Sequence, residues 1–115
     1  MARTNANTVL ATYRVRRGKE VAFRRLLARH WPVLRSLRLV TADPPVTYEG
    51  KDESKGIYFV EIFTWRSAAA VEAAHVHPEV GRVWGAMGEL VEKRLGRPAW
   101  EFPHVRRIAI RHRRG

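Results

Sequence analysis

The sequence predicts an α+β domain with the order strand, helix, strand, strand, helix, strand. Residues 57–65, "IYFVEIFTW", alternate between two apolar faces, as a strand covered on both sides does. Residues 19–37 and 78–95 repeat apolar positions at helical spacing. Residues 8–15, "TVLATYRV", form a β-branched and aromatic run that predicts a first strand. With 115 residues, the chain has room for one core and therefore one domain, 1–115.

The composition excludes several classes of protein. The chain contains no cysteine, which rules out disulfides, thiolate metal sites and cysteine nucleophiles. No apolar run approaches the roughly 18 residues of a membrane span, so no membrane partner is expected. The first residues, "MARTNANT", lack the apolar segment of a signal peptide, which makes the cytoplasm the expected location.

The net charge of +11 raises the question of an anionic partner. Nine of the 22 basic residues lie between Arg14 and Arg38, and five arginines fall within 106–114. This distribution favours a solvated basic helix face and a basic C-terminal tail, 106–115, beyond a core of about 8–105. Binding of nucleic acid is the less favoured alternative, because the aromatic residues mostly occupy core-facing positions instead of exposed stacking positions.

The first helix has a histidine in its apolar face. Its apolar positions are Phe23, Leu26, Leu27, His30, Leu34 and Leu37, and arginines take the other side. His30 lies near the middle of this stripe and is expected to face inward. Pro32 predicts either a kink or the start of a second helical segment. The next strand, 39–50, contains Pro44 and Pro45 and should lie at an edge or form a bulge.

The second half of the chain carries helix-start signals. Ser67 is a plausible N-cap for a short helix, "AAAVEAAH". Pro78 suits the first position of the next helix, with His77 as its cap, and Gly96 is expected to end it. A final strand, 98–108, then completes the split βαβ order of ferredoxin-like domains, βαββαβ.

The strand 57–65 also predicts how the chain assembles. One face carries Ile57, Phe59, Glu61, Phe63 and Trp65, and the other carries Tyr58, Val60, Ile62 and Thr64. Two helices cover only one face of a four-stranded sheet, so the second apolar face needs another partner. A second copy of the same sheet is the simplest such partner, which predicts a homodimer.

Three segments resemble the antibiotic biosynthesis monooxygenase (ABM) family: "EIFTWRSAAAVEAAH", "VWGAMGELVE" and "EFPHV". The resemblance covers about residues 8–105 and implies a dimeric α+β barrel with a small cavity between helices and sheet. Family members include cofactor-independent monooxygenases of electron-rich aromatics, quinol oxygenases and haem-degrading enzymes. Trp65 matches the family tryptophan, and Glu61 stands where aromatic-polyketide oxygenases carry asparagine. Haem-degrading members carry asparagine on the first strand, where this chain has Ala11, which argues against that activity.

The candidate acid–base residues are Glu61, His75 and His30. Glu61 interrupts an apolar strand face and loses hydration there unless a cation or hydrogen-bond donors compensate. We expect it inside the pocket as a proton acceptor, the alternative being a structural pair with an arginine. His30 is either a catalytic group or a satisfied core histidine. His75 is expected near the pocket mouth, although it and His77 could equally be residues of a helix junction.

The remaining candidates form a substrate-binding wall, with Trp65, Trp31, Trp84, Phe63 and His104 as its members. Glu61, His75 and His77 have ligand types that suit non-haem iron, but nothing in the sequence makes them converge, and no metal is assigned. The resemblance implies a monooxygenase without a bound cofactor that acts on a planar aromatic or quinol-type small molecule. A non-catalytic small-molecule binding module of the same fold is the alternative.

Overall fold

Residues 7–113 are described by the computed structural model and form five strands and three helices. In chain order they are β1 (Thr8–Arg14), α1 (Glu20–Ser36), β2 (Val46–Lys51), β3 (Ile57–Thr64), α2 (Ala68–Val76), α3 (Pro78–Gly88), β4 (Trp100–Glu101) and β5 (His104–Val105). The predicted order of elements is confirmed, with the second helical region divided into α2 and α3. Among these residues, no helix is both long and apolar enough to cross a membrane.

The strands form one antiparallel sheet in the order β2-β3-β1-β4, and β5 also pairs with β1. Strand β1 is therefore central, as in a ferredoxin-like domain. Its pairing with β3 places Ala11 opposite Glu61 and Tyr13 opposite Phe59. Since the side chains of these four residues are buried, this register defines the inner face of the sheet.

The last predicted strand, 98–108, is shorter and broken. Only Trp100–Glu101 and His104–Val105 pair with β1. Pro103 lies between them and has no N–H to donate to the ladder, although its carbonyl accepts a hydrogen bond from the Leu10 N–H at 3.0 Å. Residues 106–113 belong to no helix or strand and are exposed, whereas 114 and 115 lie outside the described residues.

Helix α1 continues through Pro32 as a single element, so the alternative of a second segment is wrong. Its buried residues are Phe23, His30 and Leu34, which lie on the predicted apolar stripe. His30 is 3% exposed and faces inward as predicted. On the sheet side, β2 lies at an edge, and Pro44 and Pro45 precede it without removing a ladder hydrogen bond.

Both predicted helix caps are confirmed. The Ser67 hydroxyl accepts a hydrogen bond from the Ala70 N–H at 3.1 Å, which satisfies one free donor at the start of α2. His77 Nδ1 accepts from the Glu79 N–H at 3.1 Å, and Pro78 occupies the first turn of α3.

Helix α3 ends at Gly88, not at Gly96 as predicted. Beyond Gly88 the backbone turns to bond with the end of β1: the Arg16 N–H donates to the Leu90 carbonyl at 2.8 Å. A bridge between Val15 and Val91 continues this pairing. The apolar residues after the helix therefore keep a helical spacing in sequence although the chain is extended there.

Arg94 holds this extended segment against the sheet. Its Nε donates to Asp52 Oδ2 at 2.7 Å, and its other nitrogens donate to the carbonyls of Val15 and Ile57 at 2.9 and 2.8 Å. Hydrogen bonds from the Ser54 hydroxyl, and then from Arg94, keep the pKa of Asp52 well below its usual range. These bonds compete with continuation of α3.

The outer face of β3 is covered by no helix of the described chain. Its outward side chains, Tyr58, Val60, Ile62 and Thr64, are half-buried, whereas the inward Phe59, Glu61 and Phe63 are fully buried. The neighbouring edge strand adds the exposed Val46 and Tyr48 to the same face, since they lie opposite Ile62 and Val60.

Candidate functional site

A cavity of about 240 Å³ lies between the inner face of the sheet and the three helices. We call it the Trp65 cavity. Its lining residues are Val9, His30, Phe63, Trp65, Val71, His75, Trp84, Trp100, Phe102 and His104. Most of these side chains are apolar or aromatic, and the polar groups are three imidazoles and the indole N–H groups. Such a lining suits a flat apolar ligand that carries a few polar groups.

The wall of the cavity is built from aromatic side chains of separate elements. Phe63 ends the inner face of β3 and meets the Trp65 ring with centroids 5.4 Å apart. Trp84 comes from α3, and its ring lies edge-on to Trp65 with centroids 6.4 Å apart. His104 from β5 closes another side. The structure thus brings together four of the five wall residues that the sequence predicts.

Trp31, the fifth, lies elsewhere. It follows His30 directly on α1, and neighbouring residues on a helix point about 100° apart. Trp31 therefore borders a separate open groove of about 530 Å³ between α1 and β2, which also contains Tyr48 and Glu61. The Trp31 Nε1 is buried and has no hydrogen-bond partner among the described residues. Its assignment to the cavity wall is corrected accordingly.

Behind the cavity, four side chains form a continuous hydrogen-bond network. Tyr13 Oη donates to Glu61 Oε1 at 2.8 Å, and His30 Nδ1 lies 2.9 Å from the same oxygen. Trp84 Nε1 lies 2.9 Å from His30 Nε2. Glu61 is 2% exposed, so these contacts replace the water that a carboxylate would otherwise require.

The partners determine the tautomer of His30. An indole N–H can only donate, so His30 Nε2 must accept from Trp84 and carries no proton. The ring proton is then on Nδ1 and is donated to Glu61. Both ring nitrogens are engaged, although the His30 ring lines the cavity beside Trp84.

Glu61 therefore lies one hydrogen bond behind the cavity wall and not inside the Trp65 cavity as predicted. It shares a strand face with Trp65, but Tyr13 and His30 hold its carboxylate toward α1, where it borders the Trp31 groove. The alternative of an arginine partner is also wrong, because a phenol and an imidazole provide the donors.

The sequence interpretation missed Tyr13. Burial, and then the charge and hydrogen bond of Glu61, raise the pKa of the Tyr13 phenol well above its usual value of 10.0. Tyr13 is two residues from Ala11, which pairs with Glu61, so the two side chains are diagonal neighbours on one face. The small Ala11 opposite Glu61 was the signal that could have indicated this contact.

His75 is a cavity histidine whose Nε2 has no partner among the described residues. Its Nδ1 lies 2.8 Å from the Val71 carbonyl, one turn earlier on α2. A carbonyl only accepts, so Nδ1 carries a proton, and in the neutral ring the lone pair is on Nε2. The ring is exposed and lies edge-on to Trp84, with centroids 5.3 Å apart. His75 thus occupies the cavity mouth, as predicted.

The hypothetical metal triad does not assemble in the described part of the chain. His77 uses Nδ1 to cap α3, His75 faces the cavity, and Glu61 lies on the far side of His30. Within residues 7–113, no group of three or more potential ligand side chains converges.

The fold and cavity define a ferredoxin-like α+β domain with an aromatic pocket under its helices. Comparison with solved structures confirms the fold. PA3566 from Pseudomonas aeruginosa is similar over 89% of this chain and 93% of its own, with a TM-score of 0.63 and 20% identity. Rv0793 from Mycobacterium tuberculosis is similar over 90% of this chain and 95% of its own, with a TM-score of 0.58 and 16% identity.

A third similar structure carries a functional name. It is a "putative antibiotic biosynthesis monooxygenase" from Deinococcus radiodurans, similar over 94% of this chain and 98% of its own, with a TM-score of 0.56 and 15% identity. The ABM-like fold suggested by the sequence is thus present. No family model and no curated protein matches the sequence.

Proposed function

We propose that this protein is a monooxygenase that works without a bound cofactor on a small aromatic hydroxyl compound, a phenol or hydroquinone. One observation carries the proposal: His75 lines the mouth of an aromatic cavity, and the Val71 carbonyl engages its Nδ1, which leaves Nε2 as the proton acceptor of the neutral ring. The likeness of fold to the Deinococcus radiodurans protein supports the same class of reaction.

The size of the cavity restricts the substrate. An apolar protein cavity of about 150 Å³ accepts benzene. The Trp65 cavity, at about 240 Å³, therefore fits one substituted ring or two fused rings, and it lies below the roughly 300–1,000 Å³ of most ligand pockets. The edges and faces of Trp65, Trp84 and Phe63 would stack against such a ring.

The chemistry assigned to the chain is the handling of one proton. His75 Nε2 accepts the hydroxyl proton, and the resulting substrate anion is electron-rich enough to reduce oxygen itself. One oxygen atom enters a ring carbon, the other leaves as water, and the two hydrogens of that water come from the substrate. For a phenol, C₆H₆O + O₂ gives C₆H₄O₂ + H₂O. The proton acceptor supplies a factor of typically 10²–10⁴ in rate.

Glu61 and His30 act in this proposal as positioning residues. Their hydrogen bonds fix the Trp84 indole, which in turn forms the wall against which His75 packs. A rigid wall keeps the substrate hydroxyl near His75 Nε2, which is the orientation effect on which the rate depends.

We further propose that the active form is a homodimer joined through the outer sheet face. The half-buried Val60 and Ile62 and the exposed Val46 and Tyr48 form an apolar surface there. Covering it with a second copy removes this surface from water in both protomers.

Oxygen uptake with mono- and bicyclic hydroquinones tests the proposed reaction, and their dimethyl ethers, which have no ionisable hydroxyl, are the controls. We expect oxygen uptake above the enzyme-free rate only with the free hydroxyl compounds. When the reaction is run under ¹⁸O₂, each product molecule should contain one ¹⁸O atom. Val71→Phe, which fills the cavity from α2, should abolish both. Uptake that survives Val71→Phe would place the reaction outside the cavity.

A non-catalytic binding module remains the second candidate, and one observation favours it. Both nitrogens of His30 are engaged, so this histidine has no free ring nitrogen to offer a substrate in the cavity. Saturable binding of a hydroquinone that Val71→Phe removes, together with no oxygen uptake, would establish this function in place of catalysis.

A further inference from the structure

An open groove of about 620 Å³ lies at the C-terminal end of α1, away from the Trp65 cavity. Its lining residues are Arg35, Ser36, Arg38, Thr41, Ala42 and Arg66, and we call it the arginine groove. Half of these residues are arginines, and no acidic residue lines the groove. Within residues 7–113, none of its three arginines takes part in an ion pair.

Arg38 occupies a backbone position that normally takes glycine. It follows the C-cap Leu37 with a φ of 60°, in the left-handed region. The Arg38 N–H donates to the Arg35 carbonyl at 2.9 Å, and the Leu39 N–H donates to that of Leu34 at 3.0 Å. This is a Schellman motif, in which glycine avoids a steric cost that arginine must bear. A strained residue of this kind suggests that its side chain has a use.

Backbone carbonyls hold the other two guanidinium groups in place. Arg35 Nη1 donates to the Val40 carbonyl at 3.3 Å, and Arg66 Nη1 donates to the Arg38 carbonyl at 3.3 Å. Each guanidinium has five N–H donors, so most remain available to a ligand. The Thr41 hydroxyl at the groove wall is shielded from water and has no hydrogen-bond partner among the described residues.

We propose that the arginine groove binds the phosphate group of a small molecule. Three guanidinium groups in a groove whose described lining contains no acidic residue match a dianion better than a singly charged carboxylate. Arginine also pairs with phosphate oxygens through two parallel hydrogen bonds. This site is independent of the reaction proposed for the Trp65 cavity.

Calorimetric titration of the full chain with inorganic phosphate, at constant ionic strength, tests the site. We expect saturable binding of one phosphate per chain, weakened at least about tenfold in Arg66→Gln and in Arg38→Gly. Arg38→Gly should keep or raise the melting temperature, because glycine adopts a φ of 60° freely. A loss of phosphate binding in Arg38→Gly would then not be caused by unfolding of the protein.

Arg25→Gln is the matched control. Arg25 is an exposed residue of α1 outside the groove, and its loss changes the net charge by the same amount. Phosphate binding should be unchanged in this variant. Equal weakening in all three variants, or no saturation, would contradict the proposal and indicate diffuse attraction to a basic surface. A single-stranded oligonucleotide that binds more tightly than phosphate and is insensitive to Arg38→Gly would also contradict it.

Discussion

Trp84 Nε1 donates a hydrogen bond to His30 Nε2 over 2.9 Å, and this contact fixes the proton on the opposite ring nitrogen. The ring proton then faces Glu61 Oε1 at 2.9 Å. The Trp84 indole is thus part of the cavity wall and also fixes the hydrogen-bond pattern of the buried network behind that wall. The candidate site and the protein core are linked through this pair of residues.

Trp84→Phe should release His30 Nε2 from its donor. We expect Glu61 to keep the ring proton on Nδ1 and Nε2 to lose its only donor, so the free energy of unfolding should fall by about 1–3 kcal/mol because a buried acceptor is left unsatisfied. Two-dimensional ¹H–¹⁵N spectra of the histidine rings report the tautomer directly. Trp31→Phe is the matched control, since the Trp31 Nε1 has no partner among the described residues. If the ¹⁵N shift of His30 Nε2 were the same in Trp84→Phe as in the wild type, the inferred donor would be wrong.

The buried Tyr13 phenol should lower the free energy of unfolding at alkaline pH. The unfolded chain releases this phenol proton near pH 10, whereas burial and Glu61 raise the pKa in the folded protein well above that value. Above pH 10 the folded state therefore binds more protons than the unfolded state. The free energy of unfolding falls there by up to about 1.4 kcal/mol per pH unit, whereas below pH 10 Tyr13 causes no such loss. Urea unfolding from pH 8 to 11.5 measures the slope.

Tyr13→Phe should flatten this alkaline slope, and Tyr48→Phe serves as its control because, among the described residues, the Tyr13 phenol donates to the Glu61 carboxylate and the Tyr48 phenol donates to none. An unchanged slope in Tyr13→Phe would assign the alkaline loss to other groups.

His77→Ala should act on stability alone. The substitution removes the acceptor for the Glu79 N–H at the start of α3, and loss of such a cap typically costs about 1 kcal/mol. Thermal unfolding measures this cost, and His77→Asn, which can still cap the helix, should recover most of it. A folded His77→Ala protein that no longer binds any cavity ligand would give His77 a role in the site.

Ile62→Glu should separate the proposed dimer. Ile62 lies at the centre of the outer sheet face, and a carboxylate there would be buried without a partner in the interface. We expect sedimentation equilibrium to give a dimer for the wild type and a folded monomer for the variant. A monomeric wild type at micromolar concentration would rule out the sheet-to-sheet dimer.

Most of the fold could be predicted from sequence because its signals are local. The alternation in β3, the stripe of α1 and the caps Ser67 and His77 each depend on neighbouring residues. The end of α3 could not be predicted in this way. It depends on Arg94, whose partners Asp52, Val15 and Ile57 are distant along the chain, and these contacts override a helical spacing of apolar residues.

Most residues that line the Trp65 cavity could be predicted from the sequence, whereas the hydrogen-bond network behind them could not. Phe63 and Trp65 follow from strand alternation, and His30 follows from the helix stripe. The contact of Tyr13 with Glu61 depends on the register between β1 and β3, which the sequence does not specify by itself. Trp31 was misplaced: it directly follows His30 on α1, and the helix turns it toward another groove.

The turnover number of His75→Gln tests the central claim most directly, namely that His75 Nε2 receives the substrate proton in the Trp65 cavity. It is measured with the best accepted hydroquinone, and the dissociation constant of a redox-inert analogue is measured on the same samples. His77→Gln is the control, because His77 lies in the helix junction and not in the cavity lining. The account predicts that kcat of His75→Gln falls by about 10²–10⁴, with analogue binding within about threefold of wild type. A kcat equal to that of the wild type in His75→Gln would contradict it.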